Sequence, residues 1–303
     1  MIFVTAVRES ASAAMLHPVS PPANPREDPD VPAWMSVELL KDLHLLTRTG
    51  QLNADARRKL KQIKHLLGLL RPALDDVLAR HPSPSIVDCG AGKSYLGALM
   101  YELVLGPSGR GTLTAIESRP ELSEQAAARA ARFGHGRFRV RCDSIAAVLH
   151  ACGDERPNVV TALHACDTAT DDALVLAIAS GADHVAVVPC CQAEVSRQLE
   201  RARPTDPAFA ALFACALHRR ELGSHLTNVV RTLALGAHGY KVTVTELVGW
   251  EHSAKNELIL ARRVHRYDAG ARAQLRAVLD RFGIEPAVVR ELARLDLDPR
   301  AEP

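Results

Sequence analysis

The spacing of apolar residues changes once along the chain, from a helical repeat to short β-type runs. Between Ser36 and Gly50, Val37, Leu39, Leu40, Leu43, Leu45 and Leu46 recur at helical spacing, which predicts a helix over that stretch. A second helix is predicted from Asn53 as N-cap, with Leu60, Ile63, Leu66, Leu67 and Leu70 as its apolar stripe and Pro72 ending or kinking it before a continuation towards Leu78. From Ser85 the runs shorten and become β-rich: Ile86-Val87, Thr112 to Ile116, Phe138 to Arg141, Val159 to Leu163 and Val185 to Val188, each followed by a helical stretch.

Strands that alternate with helices imply a parallel sheet covered on both faces. Two final strands, Lys241 to Val248 and Glu257 to Val264, are joined by only about eight residues, too few for a crossover helix, so they must pair antiparallel. The expected fold is therefore α/β: a doubly wound, Rossmann-like, mostly parallel sheet of seven strands, with helical additions at both ends. The expected organisation is a disordered proline-rich tail over 1–35, a helical segment over 36–82, the sheet domain over 83–266 and a helical tail over 267–303. Within the sheet domain, 193–237 is too long for a simple crossover and is read as a helical, substrate-shaping insertion.

Composition narrows the classes. Charges of both signs are interspersed to a net of +2, so the whole-molecule field does not drive nonspecific nucleic-acid binding, and any RNA contact has to come from a local patch. Arg57, Arg58, Lys61, Lys64 and His65 share one face of the second helix and read either as a solvated face or as a phosphate-contacting stripe. No apolar segment reaches the length of a membrane span, Met1 to Ser12 lacks the apolar core of a signal peptide, and seven scattered cysteines suit reduced thiols. The expectations are a cytoplasmic location, no disulfides, no membrane and no DNA partner.

The candidate chemistry begins at Val87-Asp88-Cys89-Gly90-Ala91-Gly92-Lys93-Ser94, between a strand and a helix. Gly90 and Gly92 let the backbone turn sharply and approach a ligand, and the helix start offers N–H donors. Asp88 can accept hydrogen bonds from a ligand ammonium, so the turn suits the amino-acid end of S-adenosylmethionine. A phosphate-binding P-loop would need glycine at Val87, and a dinucleotide fingerprint would need it at Tyr95. Glu117 ends the second strand, where a carboxylate can take both ribose hydroxyls, a spacing shared with nicotinamide enzymes. Asp143 ends the third. Each acid alone could equally be a helix N-cap.

Ligands of a doubly wound sheet bind beyond the carboxyl ends of its strands. The fourth strand ends in His164-Ala165-Cys166-Asp167-Thr168-Ala169-Thr170-Asp171 and the fifth in Pro189-Cys190-Cys191-Gln192. This pair of motifs resembles the class I methyltransferase domain family that includes the eukaryotic tRNA 2′-O-methyltransferases of the acceptor stem and bacterial relatives without assigned substrates. The likeness spans roughly Lys61 to Arg263. It departs at Asp167, where the tRNA enzymes tend to have glycine, and it lacks their cysteine-rich zinc modules. The resemblance implies S-adenosylmethionine held by Asp88, Gly90, Gly92, Glu117 and His164, with Asp143 on the adenine amino group.

His164 can act as general base towards a hydroxyl acceptor, or it can be a satisfied core histidine. Cys190 can be a nucleophile towards a pyrimidine ring, or a small buried cysteine packing beside the cofactor. Adjacent cysteines rarely aim both sulfurs at one ion, so no metal is expected. Asp171 and Asp172 are read as stabilising the start of the next helix, and Lys93 as a surface residue. The last two strands place Trp250 and Asn256 at the ligand edge, where they can stack on a base and bond its edge. The favoured reading is methyl transfer to RNA. A small-molecule or protein acceptor, a non-catalytic module of the same fold and a nicotinamide oxidoreductase are the alternatives.

Overall fold

The strands lie in the order β3-β2-β1-β4-β5-β7-β6. They are β1 (Ser85–Cys89), β2 (Thr112–Glu117), β3 (Phe138–Cys142), β4 (Val159–Ala162), β5 (His184–Val187), β6 (Tyr240–Glu246) and β7 (Glu257–Arg263). The first five are parallel, β7 runs antiparallel to β5, and β6 runs antiparallel to β7, as the short final connection demands. The computed structural model describes residue 24 and residues 28–151, 156–163, 165, 167–189, 192–201, 207–247, 257–264 and 268–301.

Strand alternation sends successive side chains to two separate cores. Ile86, Leu113, Ala115, Val159, Ala186 and Leu258 pack with α2 (Ala54–Arg80) on one face. Val87, Ile116, Val160, Ala162, Val185, Val187 and Ile259 pack on the other against α7 (Thr168–Ser180) and α10 (Ala216–Ala237). With both faces covered, small ligands are left the strand ends. The remaining α-helices among the described residues are α1 (Val37–Asp42), α3 (Tyr95–Met100), α4 (Gly106–Ser108), α5 (Pro120–Arg132), α6 (Ile145–Ala151), α8 (Glu194–Arg201), α9 (Pro207–Ala214), α11 (Ala269–Phe282) and α12 (Ala287–Arg294), with a π-helical turn at Tyr101–Leu105.

The N-terminal region departs from expectation in three places. The first helix stops at Asp42 instead of Gly50. His44 takes a positive φ of 56°, and the N–H groups of Leu45 and Leu46 both donate to Leu40 O, so Leu43, Leu45 and Leu46 are buried by a turn. Pro72 neither ends the second helix nor divides it. The carbonyl its missing N–H would have used belongs to Gly68, and both residues face solvent, where water can bond that carbonyl. Third, the packed region begins before residue 36. Val31 and Met35 are buried, Ser36 N–H donates to Glu102 at 2.8 Å, and Asp28 and Asp30 hold Arg57. Arg58 is likewise taken by Asp55 and Lys64 donates to Asp30 O, so three of the five basic side chains of this helix face are already engaged.

Among the described residues no helix is long and apolar enough to cross a membrane. Met35→Ala, which truncates a fully buried side chain, is expected to cost about 2–5 kcal/mol in denaturant unfolding. A loss below roughly 0.5 kcal/mol, the range of ordinary surface changes, would place residues 28–35 outside the folded unit.

Candidate functional site

The turn after β1 is built from two left-handed glycines, Gly90 (φ +61°) and Gly92 (φ +57°). A Cβ at Gly90 would lie 3.1 Å from that of Ala165, so the segment after β4 packs directly against this turn. At Gly92 the corresponding position is open, with nothing within 4 Å. Ala91 N–H donates to Ile116 O and Ser94 N–H to Ala91 O, which fixes the turn across to β2. Ser94 itself has a positive φ of 53°, and its buried Oγ has no hydrogen-bond partner.

Asp88 closes β1 with 4% of its surface exposed and accepts the Thr161 hydroxyl at 2.8 Å from the neighbouring strand. Burial pushes its carboxyl up to about 6, with the Thr161 hydroxyl opposing. Glu117 ends β2 and points back at the turn, accepting Gly92 N–H at 2.7 Å and Arg119 N–H and Nε–H at 3.0 and 2.8 Å. Burial works against its charge, but Arg119 and the two amides hold the carboxyl below its usual range. Asp143 follows β3 next to Glu117: its N–H donates to Glu117 O, and its carboxylate accepts Ser144 N–H at 2.9 Å. Asp88, Gly90, Gly92, Glu117 and Asp143 thus share one edge of the sheet. His164, Cys190 and Asn256 lie outside the described residues, as do Cys166, Cys191 and Trp250.

The flanks of those residues are held by a polar network that sequence reading missed. Arg231 of α10, with 1% of its side chain exposed, forks onto Asp171 at 2.7 and 2.9 Å and donates to Asp167 O at 3.0 Å. Asn228, one turn earlier, donates to Glu257 at 2.6 Å and accepts from Gln192 at 2.8 Å. The segment after β4, the segment after β5 and the first residue of β7 therefore meet on one helix. Asp171 lies in the first turn of α7, but its carboxylate is spent on Arg231 and not on the helix start, which corrects the expected role. Asp167 adopts φ 52° and ψ −124°, backbone that favours glycine, with its carbonyl tied to Arg231. The readable signal for Arg231 was a lone arginine inside the apolar stripe Leu226, Val230, Ala234, Leu235.

Beside the glycine turn opens a cleft of about 1090 Å³. Lys41, Arg48, Lys93, Arg129 and Arg132 line it against two carboxylates, Glu38 and Asp42, together with the rings of Tyr95 and Phe133. Arg129 lies over Tyr95 and Arg132 over Phe133, at 5.2 and 4.7 Å from the ring centres.

Residues 58–198 match the model of a family described as a methyltransferase domain. They form a methyltransferase domain. Its methyl donor is S-adenosylmethionine, and the edge fits that group: a buried acid at the strand end, an open glycine and a second acid already oriented by Gly92 and Arg119. No curated protein matches the sequence. Among solved structures, the S-adenosylhomocysteine-bound methyltransferase PaMTH1 of Podospora anserina is similar at 12% identity and a TM-score of 0.43, covering 78% of this chain and 89% of its own. An rRNA methylase of Streptococcus thermophilus is similar at 12% and 0.42, with 65% and 95% covered. At that distance these likenesses do not bear on the acceptor of the methyltransferase. No cluster of three metal-ligating side chains occurs among its described residues.

Two stability measurements probe the site. The rise of Asp88 to about 6 means that the folded, ligand-free protein holds this proton more tightly than the unfolded chain, so stability falls as pH rises from about 4 through about 6. Asp88→Asn should therefore stabilise the ligand-free protein by about 1–3 kcal/mol at pH 7.5 and have little effect at pH 4; an equal effect at both pH values would contradict the burial account. Arg231→Met strands the Asp171 carboxylate and should cost about 3–5 kcal/mol, most of it recovered by adding Asp171→Leu. Unfolding curves without that recovery would show that the pair is not the unit.

Proposed function

We propose that this methyltransferase acts on RNA, and the observation that carries the reading is the basic, aromatic cleft that opens at Lys93, one residue beyond the glycine turn. Five cations against two carboxylates form a local positive patch on a chain whose net charge is only +2, with Lys41 paired to Glu38 and both Arg129 and Arg132 to Asp42, and phosphate contacts plus ring stacking are how single-stranded RNA is held. Arg48 and Lys93 have no ion pair with any described residue, which leaves both available to phosphates.

In this reading Asp88 and the open face of the turn at Gly92 receive the amino-acid end of the donor, Glu117 the ribose hydroxyls and Asp143 the adenine amino group. When bound, the donor supplies a methyl group already activated on a sulfonium. The chain's own work is alignment of the acceptor, exclusion of water and removal of one proton. His164 is assigned the proton from an acceptor hydroxyl; it immediately precedes Ala165, whose Cβ touches the glycine turn. Asn256 is assigned the edge of the acceptor base, and Cys190 a packing place beside the methyl group and no covalent role.

The test is transfer of labelled methyl from S-adenosylmethionine to total RNA. Label that ribonuclease digestion releases, and that falls at least about tenfold with Lys41→Glu plus Arg48→Glu while S-adenosylhomocysteine still binds, supports the reading. Label in protein or in small molecules would overturn it, and cofactor binding without any turnover would indicate a non-catalytic module. His164→Ala should lower kcat by about 10²–10⁴, far more than it weakens S-adenosylhomocysteine, whereas Cys190→Ala should keep its activity.

A further inference from the structure

A second cavity, of about 440 Å³, lies on the α2 face of the sheet, within the roughly 300–1,000 Å³ typical of small-molecule sites. Leu69, Pro72 and Ala73 of α2 form one wall, and Ala186 and Leu260 lie on the sheet side. The rim is a single row across three strands: His184 of β5 is in register with Arg262 of β7, and Arg262 with Lys241 of β6. All three line the cavity. His184 and Lys241 stand at the starts of their parallel strands, so this site is on the opposite edge from the glycine turn.

The charges of the row do not cancel. Asp76, the acid of the lining, is already bound by Arg80 at 2.6 Å and by His184 at 2.6 Å, and the nearby Asp183 is bound by Arg80, His81 and Asn158. Neither the Lys241 nor the Arg262 side chain has an ion pair or hydrogen bond to a described residue. Like charges directly opposite on neighbouring strands destabilise a sheet, and no described residue offsets that cost with an ion pair to either side chain. An anion seated between them would. The apolar wall beside the row adds a second requirement, since a bare inorganic anion would leave it uncovered.

We propose that this cavity binds a small anionic amphiphile. Its single carboxylate or phosphate sits between Lys241 and Arg262, and its hydrocarbon body lies between Leu69, Pro72, Ala73 and Leu260. The site is separate from the methyl-transfer site and does not depend on the identity of the acceptor.

Calorimetry and thermal unfolding of the full chain test it with three probes: decanoate, the neutral decanol and inorganic phosphate. Decanoate is expected to bind one site and raise Tm, with decanol and phosphate each at least tenfold weaker. The double variant Lys241→Gln, Arg262→Gln should raise the Tm of the ligand-free protein, weaken decanoate at least tenfold and leave S-adenosylhomocysteine binding unchanged. Ala73→Trp, which fills the cavity without touching the charges, should also remove decanoate binding. The proposal is overturned if decanoate does not bind, if it binds the double variant as tightly as the wild type, or if decanol or phosphate alone binds as well as decanoate.

Discussion

A guanidinium almost wholly removed from water must be matched by a carboxylate and by further acceptors, or the fold cannot hold it. Arg231 meets that requirement with the two oxygens of Asp171 and the carbonyl of Asp167. Because those groups belong to the segment after β4, and because Asn228 on the same helix reaches Gln192 and Glu257, one buried network sets where the ends of β4 and β5 and the start of β7 stand. On the proposed reading, the acceptor half of the site is built around this constraint. The helical stretch expected to be a substrate-shaping insertion thus includes the element that braces the site.

The cofactor half rests on different physics. There the chain turns out of β1 through two left-handed glycines, and an acid is kept almost dry behind them. A carboxyl pushed up to about 6 by burial is an unfavourable place for a negative charge until a cation arrives. An ammonium supplies one. Glu117, by contrast, is held ionised before any ligand enters by Arg119 and the amide of Gly92, and the exposed Arg119 side chain is the donor that hydroxyls would displace. One acid prepared for charge and one for hydroxyls is the arrangement that an aminoacyl-ribosyl cofactor needs.

Much of this was legible in the sequence because it depends on local chemistry. The seven-stranded, mostly parallel sheet with its antiparallel end pair followed from the alternation of runs and from a final connection too short for a helix, and Asn53 and Gly283 cap their helices as their residue types dictate. The glycine turn could be read because few backbones other than one of left-handed glycines bend so sharply against a neighbouring chain. What escaped depends on partners distant in sequence. Leu45 and Leu46 carry a helical spacing but are buried by a turn around Leu40 O. Met35 is core only because later elements cover it. Arg231 reads as one charge in a helix until Asp171, sixty residues earlier, is placed beside it. Asp167 stands out as a departure in sequence, and its glycine-like backbone gives that departure a physical meaning.

Whether a buried acid holds the donor at the strand ends is read from calorimetric titration of the purified chain with S-adenosylhomocysteine at pH 7.5, wild type beside Asp88→Asn. Saturable binding to the wild type, weakened by about tenfold to a hundredfold in the variant as expected for loss of a charge-assisted hydrogen bond, is the predicted result. Equal affinity in the two proteins, or no binding to the wild type, would contradict it.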